Sequence, residues 1–391
     1  MPRDRGVVFD YLRQLSGAAI KVYSQEKHLF LALYFVSLLA AWAISQKARA
    51  EGLTLVDQVE ALLPDHVGAA VLAIDGGDTV FKHAWGKRRC DRPERCTAAT
   101  NFRLASVTKQ FTAAAILLLV DRGLVSLEDT LDRYFVGSPD YWQKITIHQL
   151  LTHTSGLPDY EKLIPKGTTL QLTDQNVLAL LQNTKEPKFE PGKKFVYSNS
   201  GYTLLGLIVE MASDRPFHRF VRSEVLEKAD MTNSVMFVDG MNSVTERAYG
   251  HELDIDENWT VADQSLTSAV RGDGGVYSSL NDIEHWVSML RNNSLLSEDL
   301  QQAMFTSHVR TDRRGDCYGY GWFIGEYRSE RREMHAGGTR GFSLMLQRFP
   351  ERDAVVAILL NRSRPDPPGE YIEQIVDRLI FDRETKPEAA P

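Results

Sequence analysis

Alternating apolar and polar positions predict β-strands toward both ends of the 391-residue chain. In the first third, Ala69 to Ile74 and Thr79 to Trp85 form a predicted hairpin around the turn Asp75-Gly76-Gly77-Asp78. In the last third, the same alternation predicts strands at Gly319 to Tyr327, Glu333 to His335, Phe342 to Phe349 and Ala354 to Leu360.

Apolar positions with a helical period predict helices between and beyond these strands. The predicted helices are Leu53 to Leu63, Phe111 to Val120, Ile145 to Leu151, Gly201 to Ala212, Phe217 to Leu226 and Glu370 to Phe381. Strands at both ends with helices in the middle predict an α/β (α+β) fold. We expect an antiparallel sheet built from both sequence ends, flanked by helices and carrying an inserted, mostly helical domain.

The first 50 residues have the features of a targeting segment. The apolar run at 29–44 is shorter than the roughly 20 residues of a membrane span. Basic residues precede it, and Ala48-Arg49-Ala50 offers a small-x-small cleavage site. We therefore expect export, with residues 1–50 acting as a signal peptide or as an uncleaved membrane anchor. The protein would be periplasmic, or tethered to the membrane through 29–44 and facing outside the cytoplasm.

The rest of the chain predicts one domain over 51–385 and a disordered tail over 382–391. Within that domain, the pattern predicts a sheet subdomain at about 51–125 and 265–381, interrupted by a helical insertion at about 126–264.

Composition excludes some functional classes. The net charge of −7 lacks the basic footprint of a nucleic-acid-binding protein. Cys90 and Cys96 could close a small disulfide loop in an oxidising compartment, which would leave Cys317 unpaired. No paired Cys/His spacing accompanies them, so we expect neither a metal site nor another cofactor.

Ser106 and Lys109 form a Ser-x-x-Lys pair just before the helix predicted at Phe111 to Val120. Residues three apart share one helix face, and a helix N-terminus favours a developing anion. A serine needs a neighbouring base, and a lysine in a dry pocket can lose its proton and assist. The same spacing at Ser24 and Lys27 shows that the pair also arises by chance. The alternative is a capping serine beside a solvated lysine.

Tyr197 and Asn199 lie one residue apart, just before the helix predicted at Gly201 to Ala212. A phenol beside a lysine ammonium can act as a general base toward a serine. The alternative is a helix N-terminus capped by Ser198, Asn199 or Ser200, with the tyrosine packed at its entry.

The segment His335-Ala336-Gly337-Gly338-Thr339 lies at a predicted strand end. Its glycines, Gly337 and Gly338, permit a substrate to approach the backbone closely. A backbone N–H from this edge and the N–H of Ser106 could form an oxyanion hole. His335 could donate a hydrogen bond or supply a positive charge. The alternative is a glycine-rich turn with a solvated histidine.

Together, Ser106-x-x-Lys109, Tyr197-x-Asn199 and His335-Ala336-Gly337 resemble the serine beta-lactamase and penicillin-binding-protein-like family, in its class C-like branch. The resemblance extends from about Leu53 to Phe381. Stretches that also resemble the family are Leu150 to Pro158, Pro191-Gly192, Gly274 to Ser279 with Asn281-Asp282, and Tyr318 to Trp322.

This resemblance implies a beta-lactamase/transpeptidase-like fold and an acyl-enzyme on Ser106. It implies that Lys109 and Tyr197 share the proton transfers, while Asn199 holds either the substrate's amide or Lys109. It also implies an oxyanion hole made by the N–H groups of Ser106 and Gly338. No Gly-x-Ser-x-Gly motif is present, which argues against an α/β-hydrolase.

The third motif departs from the family pattern. Beta-lactamases of the family usually have Lys-Thr-Gly or Lys-Ser-Gly where this chain has His335-Ala336-Gly337. A titratable imidazole replaces the lysine charge, and the hydroxyl that helps to hold a substrate carboxylate is missing. Thr339 or Arg340 could substitute for it.

We therefore expect a serine hydrolase acting on small esters, or on D-amino-acid or cell-wall peptides. The alternatives are a D-Ala-D-Ala carboxypeptidase and a beta-lactamase acting on beta-lactams. A non-catalytic penicillin-recognising binding protein is a further alternative, but the intact set of Ser106, Lys109 and Tyr197 argues against it.

Overall fold

The computed structural model describes residues 53–313, 315–363 and 370–382. Within those ranges, no helix has the length and apolar character needed to cross a membrane. The apolar run at 29–44 and the Ser24–Lys27 pair lie outside the described residues, as does most of the predicted tail. Export and the disordered tail therefore stay predictions.

The chain divides after Leu62 into two compact units. The described part of the first contains helix α1 (Leu55–Glu60), which begins at a capping box formed by Thr54 and Asp57. The second unit contains everything from Leu63 onward. The boundaries predicted for the sheet subdomain and the helical insertion stay predictions.

The strands of the second unit, in chain order, are β1 (Gly68–Asp75), β2 (Asp78–Gly86), β3 (Phe102–Arg103), β4 (Val235–Met236), β5 (His251–Leu253), β6 (Trp259–Val261), β7 (Val276–Ser278), β8 (Val309–Arg310), β9 (Cys317–Tyr318), β10 (Phe323–Tyr327), β11 (Glu330–Thr339), β12 (Phe342–Phe349) and β13 (Ala354–Leu360).

Its α-helices are α2 (Lys109–Asp121), α3 (Ile147–Leu151), α4 (Asp174–Gln182), α5 (Asn199–Ser213), α6 (Phe217–Phe220), α7 (Leu280–Asn292), α8 (Glu298–Met304) and α9 (Glu370–Val376). Helix α6 continues as a π-helix over Val221–Leu226, and α9 does so over Asp377–Phe381. Short 3₁₀-helices lie at Ala105–Thr108, Leu131–Arg133, Asp140–Lys144, Tyr160–Leu163 and Pro350–Arg352.

Over the described residues, an eight-stranded antiparallel sheet has the order β2-β1-β13-β12-β11-β10-β9-β8. Strand β1 pairs with β13, from Ala69 opposite Leu360 to Ile74 opposite Val355. The first and last parts of the fold are therefore neighbours in one sheet. This confirms the prediction of an antiparallel sheet assembled from both sequence ends and flanked by helices.

Burial explains why β13 reads as an unbroken apolar run. Every residue from Ala354 to Leu360 is buried. Helix α7 contacts both β1 and β13, and the π-helical end of α9 also contacts β1. A central strand covered by helices tends to be apolar on both faces rather than alternating.

Two strand predictions are corrected by the structure. The strand expected from Gly319 begins only at Phe323, because the chain turns at Gly321, whose φ is +80°. The strand expected at Glu333 to His335 extends from Glu330 to Thr339, so the glycines of the third motif lie inside β11 rather than beyond its end.

The three cysteines are free thiols. Cys90 and Cys96, the pair that the sequence offers for a disulfide, are therefore not joined in the structure. Burial raises the pKa of the Cys96 thiol to about 12, so this sulfur is protonated at neutral pH.

Candidate active site

Ser106 lies in the 3₁₀ turn Ala105–Thr108, which leads directly into the buried helix α2. Ser106 is partly exposed, whereas the other residues of the turn are buried. Ala105 has a φ of +45°, a conformation that costs free energy for a residue with a Cβ. The fold therefore holds a strained turn that presents one hydroxyl to a cavity.

Lys109 is fully buried, and its ammonium contacts three acceptors. Its Nζ lies 3.1 Å from Ser106 Oγ, 2.8 Å from Asn199 Oδ1 and 3.0 Å from the carbonyl oxygen of Asp273. A lysine ammonium has three N–H donors. The arrangement uses all three, so it fits the protonated form of Lys109 and holds Ser106 Oγ as an acceptor.

Asn199 is the first residue of α5, and its amide is oriented by a carboxylate. Its Nδ2 donates to Glu161 Oε1 at 3.0 Å, which leaves Oδ1 facing Lys109. Of the two roles that the resemblance implies for Asn199, the structure shows the contact with Lys109.

Tyr197 lines the same cavity as Ser106. Its hydroxyl oxygen is buried and has no hydrogen-bond partner among the described residues. Lys109 Nζ lies 5.1 Å from the centre of its ring, whose other contacts include a parallel stack on Phe323. A fixed phenol with an unused oxygen beside a cation has the geometry of a proton acceptor.

His335 is buried and bonded on both ring nitrogens. Its Nδ1 lies 2.7 Å from the carbonyl oxygen of Ala336 and donates to it, so Nε2 accepts from the Tyr318 hydroxyl at 3.0 Å. Burial, reinforced by the charge on Lys109, lowers the pKa of His335 to about 3. The imidazole is therefore neutral, and the expectation that it could supply a positive charge is wrong for this structure.

Gly337 and Gly338 have different surroundings. A Cβ on Gly337 would overlap the carbonyl oxygen of Leu104, whereas a Cβ on Gly338 would meet nothing within 4 Å. The absence of a side chain at Gly337 therefore allows β11 to approach the segment that precedes Ser106. At Gly338, which lines the cavity, the absence of a side chain leaves the space beside the backbone empty.

The hairpin register directs the N–H of Gly338. Strands β11 and β12 are joined by a two-residue turn between Thr339 and Phe342. In such a hairpin the flanking pair and every second pair beyond it exchange backbone hydrogen bonds. The hydrogen-bonded pairs are therefore Thr339–Phe342 and Gly337–Leu344. The pair between them contains Gly338, whose N–H points away from β12. It points to the edge where β10 has no pairing, because β10 pairs with β11 only as far as Met334.

Two recesses meet at Ser106. The larger, of about 550 Å³, has polar and apolar surface in nearly equal measure, and its charged side chains are Asp312 and Arg313. Its lining includes Phe195, Phe323, Leu344, Met345, Ile372 and Arg313. The smaller, of about 60 Å³, lies on the side of Asn199 and is lined by Glu161 and Asp273. A carbonyl group bound at Ser106 would thus lie between a larger recess of mixed polarity and a smaller recess lined by charged side chains.

Some residues around the site had not been assigned a role from the sequence. Asp273 is buried beside Lys109, and Tyr318 bonds His335. Both lie in or next to stretches that resemble the family, and this proximity could have identified them from the sequence as candidate site residues. Glu161 lies in a loop-rich region with no pattern that distinguishes it from a surface carboxylate.

No group of three or more His, Cys, Asp or Glu side chains within the described ranges is arranged to hold a metal ion.

The chain is similar to known proteins over most of its length. The family model described as Beta-lactamase matches residues 56–378. Penicillin-binding protein 4* of Bacillus subtilis is 28% identical over 325 residues, which cover 80% of this chain and 72% of that protein.

Solved structures agree with this match. The penicillin binding protein from Bacillus halodurans has a TM-score of 0.71 and 29% identity, covering 82% of this chain and 97% of the other. The D-amino acid amidase from Ochrobactrum anthropi has a TM-score of 0.72 at 23% identity, covering 83% of this chain and 97% of the other. At that identity, the second likeness shows the fold alone.

Proposed function

The chain belongs to the Beta-lactamase family of serine hydrolases, and on that premise we propose that it hydrolyses small esters through an acyl-enzyme on Ser106. The observation that carries the proposal is the contact set of Lys109. Its ammonium holds Ser106 Oγ at 3.1 Å, and Tyr197 lines the same cavity with a buried phenol oxygen that has no hydrogen-bond partner among the described residues.

The proposed reaction begins when Ser106 Oγ attacks the substrate carbonyl carbon. The hydroxyl proton passes to the phenolate oxygen of Tyr197, which the neighbouring Lys109 ammonium stabilises. The N–H groups of Ser106 and Gly338 receive the oxyanion.

Collapse of the tetrahedral intermediate expels the alcohol or amine, which takes the proton back from Tyr197. A water molecule then attacks the acyl-enzyme by the same route. It releases the acid and restores Ser106.

The neutral third motif supports an ester as the first choice of substrate. His335 brings no cation to the position where the family usually has lysine, so it offers no charge to a substrate carboxylate. In the larger recess Arg313 is accompanied by Asp312, so these two side chains bring no net formal charge that would favour a substrate carboxylate. D-amino-acid or cell-wall peptides are the second candidate, and beta-lactams are the third.

The test combines covalent labelling with a substrate panel. The full chain is incubated with a fluorophosphonate probe and with a fluorescent penicillin, and adducts are read by intact mass. Hydrolysis is measured on short-chain p-nitrophenyl esters, D-Ala-D-Ala peptides and nitrocefin. We expect an adduct at Ser106 and the fastest turnover on esters.

Two matched variants decide the assignment of the nucleophile. Ser106→Ala is expected to abolish labelling, whereas Ser24→Ala, at the other Ser-x-x-Lys pair, is expected to label like the wild type. If Ser106→Ala still labels, the assignment is wrong. If the wild type never labels and hydrolyses none of the substrates, the protein is a non-catalytic binding protein on this fold.

A further inference from the structure

His153 is a buried histidine that the proposed reaction does not use, although it contacts the segment that carries Tyr197. The backbone N–H of Val196 donates to the carbonyl oxygen of His153 at 3.0 Å. The backbone N–H of Ser198 donates to His153 Nδ1 at 3.2 Å. The residues on either side of Tyr197 are therefore both hydrogen-bonded to His153, one through its carbonyl group and one through its imidazole.

The same imidazole packs against the phenol ring of Tyr197. The two ring centres are 4.3 Å apart, and Phe323 stacks on the phenol with its ring centre 6.2 Å away. The Tyr197 hydroxyl has no hydrogen-bond partner among the described residues, so no hydrogen bond from that part of the chain fixes the oxygen in place. Its position therefore depends on packing around the ring and on the hydrogen bonds that His153 accepts from the neighbouring backbone.

The backbone of His153 adopts a conformation that costs free energy. Helix α3 ends at Leu151, and two residues later His153 has a φ of +57°, in the left-handed region. A residue with a Cβ persists there where surrounding contacts hold it. In this conformation both the carbonyl oxygen and Nδ1 of His153 bond the segment that carries the phenol.

The rest of the stretch Leu150 to Pro158 holds the same loop at two further points. The carbonyl oxygen of Thr154 accepts from the N–H of Gly192 at 2.8 Å. The carbonyl oxygen of Pro158 accepts from the Ser200 hydroxyl at 2.7 Å. This stretch resembles the family but had no role from the sequence, and it supports the phenol-bearing segment from both ends.

The hydrogen bond to Ser198 defines the tautomer of His153. Because Nδ1 accepts, the neutral imidazole carries its proton on Nε2. Burial, reinforced by the charge on Lys109, lowers the pKa of His153 well below its ordinary value. The imidazole is therefore neutral at neutral pH and keeps its acceptor.

We infer that His153 is a positioning residue for Tyr197, which it holds through the backbone on either side and through packing of the two rings. The inference rests on the proposed function. The phenol can accept the Ser106 proton only from the place where its backbone and ring hold it. A misplacement of about 1 Å can lower the rate of a catalysed step by about 10²-fold. Loss of the imidazole should therefore slow acylation, although His153 itself transfers no proton.

The test is a double-mutant cycle on the second-order rate of fluorophosphonate labelling of the full chain. We expect His153→Ala to lower this rate by about 10²-fold when Tyr197 is present. In a Tyr197→Phe background the ring remains but the hydroxyl is gone, and there we expect His153→Ala to change the rate by less than about twofold. A merely structural role would lower the rate by the same factor in both backgrounds.

His153→Asn tests the acceptor separately. The Oδ1 of asparagine lies nearly where Nδ1 lies in histidine, and asparagine tolerates the left-handed backbone. We expect this variant to restore the hydrogen bond to Ser198 and to label at least about tenfold faster than His153→Ala.

His148→Ala is the matched control. His148 lies on α3, bonds the Tyr320 hydroxyl through Nδ1 at 2.8 Å, and packs on the rings of His308 and Tyr320. Its removal also deletes a hydrogen-bonded imidazole, but away from the phenol. We expect this variant to label within about twofold of the wild type.

Melting temperatures establish which variants fold. If His153→Ala does not fold, His153→Phe takes its place in the cycle, because it keeps a ring and removes the acceptor. An equal loss of rate in both backgrounds overturns the inference, as does a rate for His153→Ala close to that of the wild type. A rate for His153→Asn no higher than that of His153→Ala, or an equal loss in His148→Ala, also contradicts it.

The same experiment separates this inference from the proposed function. Absence of labelling in the wild type would overturn both. Labelling of the wild type at Ser106, with equal losses in the two backgrounds, overturns the role of His153 alone.

Discussion

The neutral imidazole of His335 predicts a specific dependence of stability on pH. Burial, helped by the Lys109 charge, lowers the pKa of His335 from its ordinary value of 6.5 to about 3. In the unfolded chain the imidazole takes up a proton below pH 6.5, but in the folded protein it does not. Stability that is fully present above pH 6.5 is therefore lost as the pH falls toward 3.

The size of the effect follows from the shift. Each pH unit below 6.5 removes about 1.4 kcal/mol from the free energy of unfolding, or about 2 kcal/mol at pH 5. His335→Gln removes the proton-binding group while keeping a donor and an acceptor for Ala336 and Tyr318. We expect the variant to lose less stability than the wild type on acidification, by about 2 kcal/mol between pH 7.5 and pH 5.

Urea unfolding followed by tryptophan fluorescence at pH 7.5, 6 and 5 measures this difference. Tyr318→Phe is the control, since it removes the hydrogen bond to His335 but leaves the imidazole buried. We expect it to lower stability by about 1 kcal/mol while keeping the wild-type dependence on pH. If His335→Gln and the wild type lose stability in parallel, His335 is not held neutral, and the ranking of esters over carboxylate substrates loses its basis.

Two further predictions concern the roles assigned around Ser106. Tyr197→Phe should reduce the rate of acylation by about 10²- to 10⁴-fold with little change in melting temperature, because the buried hydroxyl has no hydrogen-bond partner among the described residues. An unchanged labelling rate would remove the phenol from the mechanism. Gly337→Ala should destabilise the fold by about 1–3 kcal/mol through the overlap with Leu104, whereas Gly338→Ala should fold normally and label more slowly. Equal thermal stabilities of the two variants would contradict the close approach at Gly337.

The sequence predicted the sheet best where the local pattern agreed with the tertiary environment. The strands at Phe342–Phe349 and Ala354–Leu360 have the predicted bounds, because a polar turn separates two apolar runs. Strand β11 was predicted too short at both ends, because the three residues before Glu333 are charged and glycines follow Ala336. Arg331, one of these charged residues, pairs at 2.9 Å with the buried Glu333, which also pairs with Arg348 at 3.3 Å, and a hydrophobic pattern cannot reveal such ion pairs.

The candidate site was likewise predictable only where spacing along the sequence determines the geometry. The motifs placed Ser106 and Lys109 one turn apart, and spacing on a helix is enough for that. The carboxyl groups around Lys109 come from distant segments, and a single sequence gives no distances between them. The neutral state of His335 depends on burial and on a nearby ammonium, and neither is visible in the motif His335-Ala336-Gly337.

We propose that Ser106 is the nucleophile of an acyl-transfer site. The most direct test of this proposal is peptide mapping of the full chain after reaction with a fluorophosphonate, alongside Ser106→Ala and Ser24→Ala. We predict one adduct on the peptide that contains Ser106, retained in Ser24→Ala and absent from Ser106→Ala. An adduct on any other residue, or equal labelling of Ser106→Ala, would contradict it.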